Sequence, residues 1–270
     1  MTDDATPKGW PDRFTDNQYV SFDPPLSVEA ARWWNDRFLE TAGLFPEQFV
    51  DAIADGAPGA IRGVISNLDH EAETFEIEIS GIAPDTTRLF LKSKRFEVTE
   101  GIARDGETQV SPDLQGKGIG TGLMINLIEL GRRIGLESID IEAEDIGRYA
   151  WLSMGFLPDE TSWRFWIVPA ARQKIALCLA QGEIDEETHS AVAAVLAQKD
   201  RRAARDLLVF TQSVSGPGPQ GTNTSVSLCK AIMLHQGTSW LGAFSFRDTQ
   251  GLELFDTYKE AHDVDHPRPW

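Results

Sequence analysis

The sequence predicts a mixed α/β fold, and three observations lead to this prediction. Extended segments follow one another at about residues 61–68, 73–80 and 87–98, and the second alternates apolar and polar side chains. An amphipathic helix starts near residue 120 and is followed by an apolar segment at 138–143 that is typical of a buried strand. The last hundred residues favour helices instead. Such a pattern is typical of a sheet with helices packed on it.

The segment before the strands predicts an arm and two helices. Residues 1–25 are rich in Asp, Pro and Asn and lack periodicity, so we expect a flexible arm, with anchoring by Trp10, Phe14 and Tyr19. Ser27 is the expected N-cap of the first helix, which has Glu29 in its first turn. Its apolar face is expected at Ala31, Trp34, Phe38 and Ala42. A second helix is predicted at 45–54, because Pro46 favours a helix start and Gly56 an end.

The elements after the third strand are less regular. Residues 103–108 are polar and turn-like, so the strand expected there is weak. A helix is predicted at about 147–154 and a strand near 163–167. Further along the chain we expect helices at 170–181, 186–197, 201–209 and 225–234, a flexible loop at 213–223, a strand at 239–244 and a polar tail.

These elements predict three parts of the chain. The parts are a flexible N-terminal arm, residues 1–25, a first domain, residues 26–168, and a mainly helical C-terminal region, residues 169–270. The C-terminal region is of unknown role and could serve as a scaffold, a lid or a module that binds a protein partner.

Composition restricts the classes of partner. The formal net charge of −17 disfavours binding to nucleic acid and to anionic membrane surfaces. The apolar runs are too short to span a membrane, and the N-terminus lacks the pattern of a signal peptide, so we expect a cytoplasmic protein. The two cysteines, Cys178 and Cys229, have apolar neighbours and are expected to be reduced core residues.

The most informative segment is the glycine-rich stretch from Gln115 to Gly122, QGKGIGTG, which directly precedes the amphipathic helix. Glycines at alternate positions allow backbone N–H groups to converge on an anion where a helix begins. The charged residues from 115 to 133 are Lys117, Glu129, Arg132 and Arg133, a balance of +2 in an acidic chain. The segment therefore predicts a phosphate site in a favourable local field.

Spacing excludes two phosphate-binding motifs. A dinucleotide fingerprint would need glycine at position 121 or 123, where the chain has Thr121 and Leu123. In a P-loop the lysine follows the last glycine, whereas Lys117 follows the first. An ordinary glycine-rich connection between a strand and a helix remains the structural alternative.

The segment resembles the pyrophosphate-binding signature of the GNAT N-acetyltransferase superfamily, Q/R-x-x-G-x-G/A, with Gln115, Gly118 and Gly120 at the matching positions. Val110-Ser111-Pro112 precedes it as in that family, and Trp151 to Phe156 is similar to the family's Tyr-x-x-x-Gly-Phe element. The resemblance covers about residues 60–168. It implies a mixed, mostly antiparallel central sheet flanked by helices.

The resemblance also implies a ligand, acetyl-CoA or another acyl-CoA as co-substrate, and no metal. The residues expected to contact it are Val110, Gln115, Gly116, Lys117, Gly118, Ile119, Gly120, Thr121 and Trp151. In the family, the strand before the turn splays from its neighbour, and its backbone pairs with the pantetheine amides. The implied activity is direct transfer of an acyl group to an amine, either a small molecule or a protein amine.

The catalytic end departs from the family pattern. The family's tyrosine, a proton donor to the leaving thiolate, is replaced by Trp151, and Tyr149, which we expect on another face of the helix, is the candidate replacement. Glu144 matches a family asparagine and is the candidate general base; the alternative is a solvated acidic strand end or a helix N-cap at Asp145. The missing tyrosine supports a second hypothesis, a catalytically inactive CoA-binding or regulatory module.

Histidines add little to the predicted site. His262 and His266 have the spacing of metal ligands on a helix, but they lie in a Pro-ending tail, so we expect no metal site there. A serine-hydrolase triad is not expected, because the chain has no G-x-S-x-G elbow.

Overall fold

The computed structural model describes residues 13–104, 106–217, 223–235 and 239–265. They form a mixed α/β structure with a mostly antiparallel sheet and helices, as predicted. The contacts divide the chain into two compact units, one reaching Ile139 and including residues from Glu260 onward, the other running from Asp140 to Lys259. This division differs from the domain end predicted at residue 168.

The first unit contains most of the strands. They are β1 (Val20–Asp23), β2 (Ala60–Asp69), β3 (Thr74–Ile82), β4 (Arg88–Glu97), β5 (Ile102–Arg104), β6 (Thr108–Val110) and the start of β7 (Ser138–Ala143). Its helices are α1 (Val28–Trp34), α2 (Glu40–Ala42), α3 (Pro46–Ala54) and α4 (Ile119–Ile134). A π-helical turn, Asn35–Leu39, joins α1 to α2, and a 3₁₀ turn, Pro112–Leu114, precedes α4.

The sheet of the first unit is built on β2, β3 and β4, which are antiparallel neighbours, with β1 parallel to β2 at the edge. β5 and β6 pair antiparallel with opposite ends of β4. Two residues of β7 pair in parallel with β5. The three extended segments predicted from sequence are therefore confirmed. The weak segment at 103–108 does not form one continuous strand: β5 ends at Arg104 and β6 starts at Thr108.

The N-terminal arm was only partly predicted. Phe14 is buried as expected, but Tyr19 is 55% exposed, and Trp10 lies outside the described residues. Residues 20–23, assigned to the arm, form β1 against β2. Asn17 favours this strand, because its side-chain oxygen accepts the N–H groups of Tyr19 and Val20 at 2.7 and 2.9 Å.

Both predicted N-terminal helices are confirmed, and they bury an aromatic core. The Ser27 hydroxyl accepts the Ala30 N–H and caps α1, and Pro46 opens α3. Rings from the helical segments pack edge-on or tilted against rings of the sheet with centroids 5.3–6.3 Å apart, an arrangement favoured by aromatic quadrupoles. The fully buried members are Trp34, Phe38, Phe49, Phe75 and Phe96.

The second unit begins within β7 and is richer in helices. Its helices are α5 (Gly147–Ser153), α6 (Val168–Ala180), α7 (Glu186–Leu196), α8 (Ala203–Asp206), α9 (Leu228–Met233) and α10 (Thr249–Asp265), the last of which crosses into the first unit at residue 260. Its strands are β8 (Leu157–Pro158), β9 (Ser213–Pro217), β10 (Asn223–Ser227) and β11 (Trp240–Ser245). β11 lies between β7 and β8, while β9 and β10 form a separate hairpin.

Three predictions for this unit were wrong. The strand expected near 163–167 is a π-helical turn, Ser162–Ile167, continuous with α6. The helical segment begins at residue 160, where the Asp159 carboxylate accepts the Ser162 N–H at 2.6 Å, a contact that favours a helix start. Residues 213–217 of the expected loop form β9, which buries Val214, and Asn223 starts β10, whereas residues 218–222 of that loop lie outside the described part of the chain. The expected polar tail contains the 17-residue helix α10, which packs Phe255 against Phe244.

The other C-terminal predictions are largely confirmed. α6, α7 and β11 lie close to their expected positions, whereas α8 is only four residues long and α9 starts three residues late. Cys178 and Cys229 are buried and free, and burial raises the pKa of the Cys229 thiol to about 12, so that thiol stays protonated. Among the described residues, no helix is both long and apolar enough to cross a membrane.

A buried arginine ties several elements of the second unit together. Arg205 of α8 is 4% exposed, and its guanidinium contacts the Asp248 carboxylate at 2.7 Å and the Gly155 carbonyl oxygen. We expect Arg205→Met to lower the free energy of unfolding by about 3 kcal/mol, because it leaves Asp248 without its buried partner. Arg164→Met, which removes an exposed pair with Glu160, should cost at most about 0.5 kcal/mol. Equal losses in urea unfolding would contradict this role of Arg205.

Candidate functional site

The glycine-rich segment forms a tight turn between β6 and α4. After the 3₁₀ turn, Gly116 and Gly118 adopt left-handed conformations with φ of 78° and 80°. A side chain at either position would strain the backbone, which explains glycine at both. Gly120 lies in the first turn of α4, where a Cβ would be 3.7 Å from the side chains of Thr108 and Val110. The turn therefore packs closely on β6.

The turn presents backbone N–H groups at the start of a 16-residue helix. The first i→i−4 bond of α4 runs from the Gly122 N–H to the Gly118 carbonyl oxygen at 2.8 Å. The preceding amides, those of Ile119, Gly120 and Thr121, come before this bond and have no acceptor inside the helix. With the helix dipole, they form an arrangement suited to an anion. Gln115, Gly116 and Lys117 are exposed beside them.

Gln115 fixes the turn to the end of β6. Its side-chain amide donates to the Val110 carbonyl oxygen at 3.1 Å. This contact gives a physical reason for a side-chain amide at the start of the segment, because the amide joins the turn to the backbone of β6. Val110 therefore lies beside both Gln115 and Gly120. That these residues contact a coenzyme stays a prediction.

The strand beside the turn has an open edge. β6 pairs with β4 and with no second strand among the described residues. The break before it is held by Ser93, whose N–H donates to the Glu107 carbonyl oxygen and whose hydroxyl accepts the Glu107 N–H, both at 3.0 Å. Gly106 is needed there, since a Cβ would lie 2.1 Å from the Ser93 carbonyl oxygen. The open edge leaves backbone groups of β6 accessible to an extended ligand.

The favourable local charge predicted from sequence is not concentrated at the turn. Arg132 pairs with Glu129 at 3.3 Å, and Arg133 donates to the Ala42 carbonyl oxygen at the far end of α4. A helix rises about 1.5 Å per residue, so these groups are about 20 Å from the turn, and salt screens exposed charges over about 10 Å. Of the four charged residues counted in the sequence, only Lys117 is near the candidate anion site.

Two buried lysines that were not predicted as site residues lie on β4, the strand that pairs with β6. Lys92 and Lys94 are on the same face of β4 and are only 2% and 3% exposed. The Lys92 amine donates to the Thr108 hydroxyl of β6 at 2.8 Å. Burial and, to a lesser extent, the charge of Lys94 hold the pKa of Lys92 well below its usual value. The sequence contains a pattern that could have predicted this burial: in the predicted strand, two lysines share one face with two phenylalanines, Phe90, Lys92, Lys94 and Phe96.

A histidine also contacts the turn. His262 is 6% exposed, belongs by its contacts to the first unit, and its Nε2 lies 3.4 Å from the Gly118 carbonyl oxygen. His266, its partner in the metal-like spacing, lies outside the described residues. Within the described parts of the chain, no group of three or more His, Cys, Asp or Glu side chains is placed to hold a metal ion.

The other predicted site residues, Glu144, Tyr149 and Trp151, belong to the second unit. Glu144 follows β7 and is exposed. Tyr149 and Trp151 have different neighbours, as expected for residues two apart on a helix: the Tyr149 ring faces the Lys230 ammonium at 5.8 Å, whereas the Trp151 ring is 6.2 Å from that of Phe156. The indole nitrogen of Trp151 also packs so closely on Gly147 that a Cβ there would be 2.6 Å away.

The Gly-Phe element that follows is a close-packed joint. Gly155 has a φ of 97°, and a Cβ there would lie 2.3 Å from the Gly251 carbonyl oxygen. Phe156 is fully buried against Phe244. Packing within the second unit therefore accounts for both residues of the element.

Comparisons with protein-family models, with curated proteins and with solved structures found no match to this chain. The resemblance to the GNAT superfamily therefore stays a prediction that depends on the residues quoted for it.

Proposed function

We propose that this chain is an N-acyltransferase that uses acyl-CoA, with acetyl as the acyl group implied by the resemblance, and transfers it directly to an amine. The observation that carries the proposal is the glycine turn. The turn has two left-handed glycines and is held to β6 by the Gln115 contact with Val110. The first amides of α4, which have no acceptor inside the helix, suit a pyrophosphate group. The open edge of β6 next to the turn supports an extended pantetheine that pairs with backbone.

In the proposed reaction, the neutral amine attacks the thioester carbonyl carbon. An N–C bond forms, the C–S bond breaks, the nitrogen loses a proton and the departing thiolate gains one, giving an amide and free CoA. Glu144 is the proposed proton acceptor, because a carboxylate can serve as a general base. Tyr149 is the proposed donor to the thiolate, since a phenol can release a proton that the Trp151 indole cannot.

One observation favours a second candidate, a CoA-binding module without turnover. Trp151 replaces the tyrosine of the resembled family, and its indole packs on Gly147 and Phe156 in a structural role. In this alternative the glycine turn keeps its ligand, and the catalytic donor is absent.

Release of free thiol from acetyl-CoA, measured with a panel of small amines and lysine peptides, tests the proposal. We expect release to depend on the amine and to fall by at least about 100-fold in Tyr149→Phe, since a general acid typically contributes roughly 10²–10⁴-fold to the rate. Binding of acetyl-CoA without release for any amine favours the module. A protein that binds no acyl-CoA contradicts both candidates.

A further inference from the structure

The burial of Lys92 in β4 needs an explanation that folding does not supply. Lysine is almost never fully buried without a partner that compensates its charge, because removing an ammonium from water is costly. The Lys92 amine contacts a hydroxyl, and its direct neighbours across β3 and β6 are Ile79 and Thr108, neither of them charged. Replacing an amine in such a place by a methyl group would be expected to favour folding, so its presence points to a ligand.

Lys92 is separated from the glycine turn by a single side chain. Its amine contacts Thr108, and the Thr108 methyl group lies 3.7 Å from the position of a Cβ on Gly120. The Gly120 N–H is one of the amides at the start of α4 that have no acceptor inside the helix. These contacts place the amine within about 10 Å of the Gly120 backbone, a range over which charges interact strongly when one of them is out of water.

We propose that Lys92 takes up a proton when a pyrophosphate group binds the glycine turn, so that the empty protein holds a neutral amine and the complex holds an ammonium ion. The inference rests on the proposed function for the identity of the ligand. It assigns to a buried side chain the positive charge that Arg132 and Arg133 are too distant to provide.

The charges around Lys92 agree with this coupling. Lys94, on the same strand, disfavours a second positive charge while the site is empty. The first turn of α4 has no acidic side chain, and the 3₁₀ turn before it contributes the exposed Asp113. Lys117 is exposed to solvent on the turn itself, and the buried imidazole of His262 lies 3.4 Å from the Gly118 carbonyl oxygen of the turn. A ligand with two or more negative charges would thus be the main source of compensation for an ammonium at Lys92.

Proton uptake by Lys92 fixes the direction in which pH changes the affinity for CoA. Because the bound protein holds one more proton than the empty protein, affinity for CoA rises as the pH falls through the window between the lowered pKa of empty Lys92 and its higher value in the complex. One charge pair at about 10 Å and an effective dielectric constant of about 20 gives roughly a tenfold gain in affinity.

Calorimetric titration of the full-length chain with CoA, repeated in two buffers of different ionisation enthalpy, measures this proton directly. We expect wild type to take up more protons than Lys92→Met in the same buffers; the ligand's own phosphate contributes equally to both and cancels. Lys117→Met is the matched control, and it should weaken binding while leaving the proton uptake unchanged. Binding with identical proton uptake in wild type and Lys92→Met overturns the inference alone, whereas failure of wild type to bind CoA overturns the proposed function with it.

A second measurement follows Lys92 in the wild-type protein, so its result does not depend on the stability of Lys92→Met. In wild type labelled with ¹³C-lysine, the Lys92 side-chain carbon next to the amine should have the chemical shift of a neutral amine in the empty protein and shift toward that of an ammonium ion with saturating CoA. The resonance is assigned by its loss in Lys92→Arg. A shift that CoA leaves unchanged, or an ammonium shift before CoA is added, overturns the inference.

Discussion

Gly118→Glu is expected to weaken binding of CoA by at least about 100-fold, equivalent to about 2.7 kcal/mol. The substitution places a carboxylate where the proposed pyrophosphate meets the free amides of α4, so repulsion replaces attraction. It also strains the backbone, because Gly118 has a φ of 80°. Isothermal titration with CoA measures the loss.

The strain and the added charge can be separated from the loss of the site by a matched variant. Gly135 caps the other end of α4, has a φ of 75°, and has open space where a Cβ would be. Gly135→Glu thus adds the same side chain at a comparable conformation of the same helix, and we expect it to bind CoA with nearly wild-type affinity. Similar losses in both variants, or unchanged affinity in Gly118→Glu, would contradict the proposed turn.

Gly155→Ala is expected to lower the free energy of unfolding by about 4 kcal/mol, the sum of left-handed strain and a clash in a packed joint. The new methyl group would lie 2.3 Å from the Gly251 carbonyl oxygen, which is backbone and cannot rotate away. The carbonyl oxygen of Gly155 also accepts from Arg205, so a shift of the joint disturbs the buried ion pair with Asp248. Urea unfolding of both proteins measures the difference.

Gly182→Ala is the control for strain alone. Gly182 also has a positive φ, 70°, but a Cβ there would meet nothing within 4 Å. The expected loss is about 1 kcal/mol, because only the left-handed conformation is penalised. If the two variants lose the same stability, the close approach of Gly155 to Gly251 is not a constraint on the fold.

The features predicted well from sequence are those in which one residue type has one local consequence. Ser27 and Pro46 mark helix starts through capping and a fixed φ, and both helices begin where expected. The glycine-rich segment predicts a special backbone where the helix begins, and Gly116 and Gly118 adopt left-handed conformations there. The alternation of Phe75, Ile77 and Ile79 predicts a half-buried strand, and all three are buried in β3.

The features that were missed depend on partners distant in the chain. Residues 163–167 have the aromatic character of a strand, but Asp159 starts a helix there and α6 continues it. α10 has a weak apolar face, and burial of Phe255 against Phe244 accompanies the helix. Lys92 is charged, and its burial follows from the position of β4 in the middle of the sheet, which local propensity does not encode.

The same difference between local and distant interactions separates the predicted from the unpredicted parts of the candidate site. The turn could be predicted because its amides, glycines and Gln115 contact are local in sequence. The roles of Glu144 and Tyr149 depend on where a substrate lies, and no spacing in the chain specifies that. Net local charge was misleading, since Arg132 and Arg133 are sequence neighbours of the turn but lie a whole helix away from it.

The central claim is that the turn at residues 115–121 recognises the pyrophosphate of CoA, and comparison of two ligands tests it most directly. Pantetheine has the thiol arm of CoA but lacks the pyrophosphate and the nucleotide. Titration of the full-length protein should give measurable binding of CoA and binding of pantetheine weaker by at least about 100-fold, since the anion contacts are lost. Equal affinity for the two ligands, or no binding of CoA, would contradict the account.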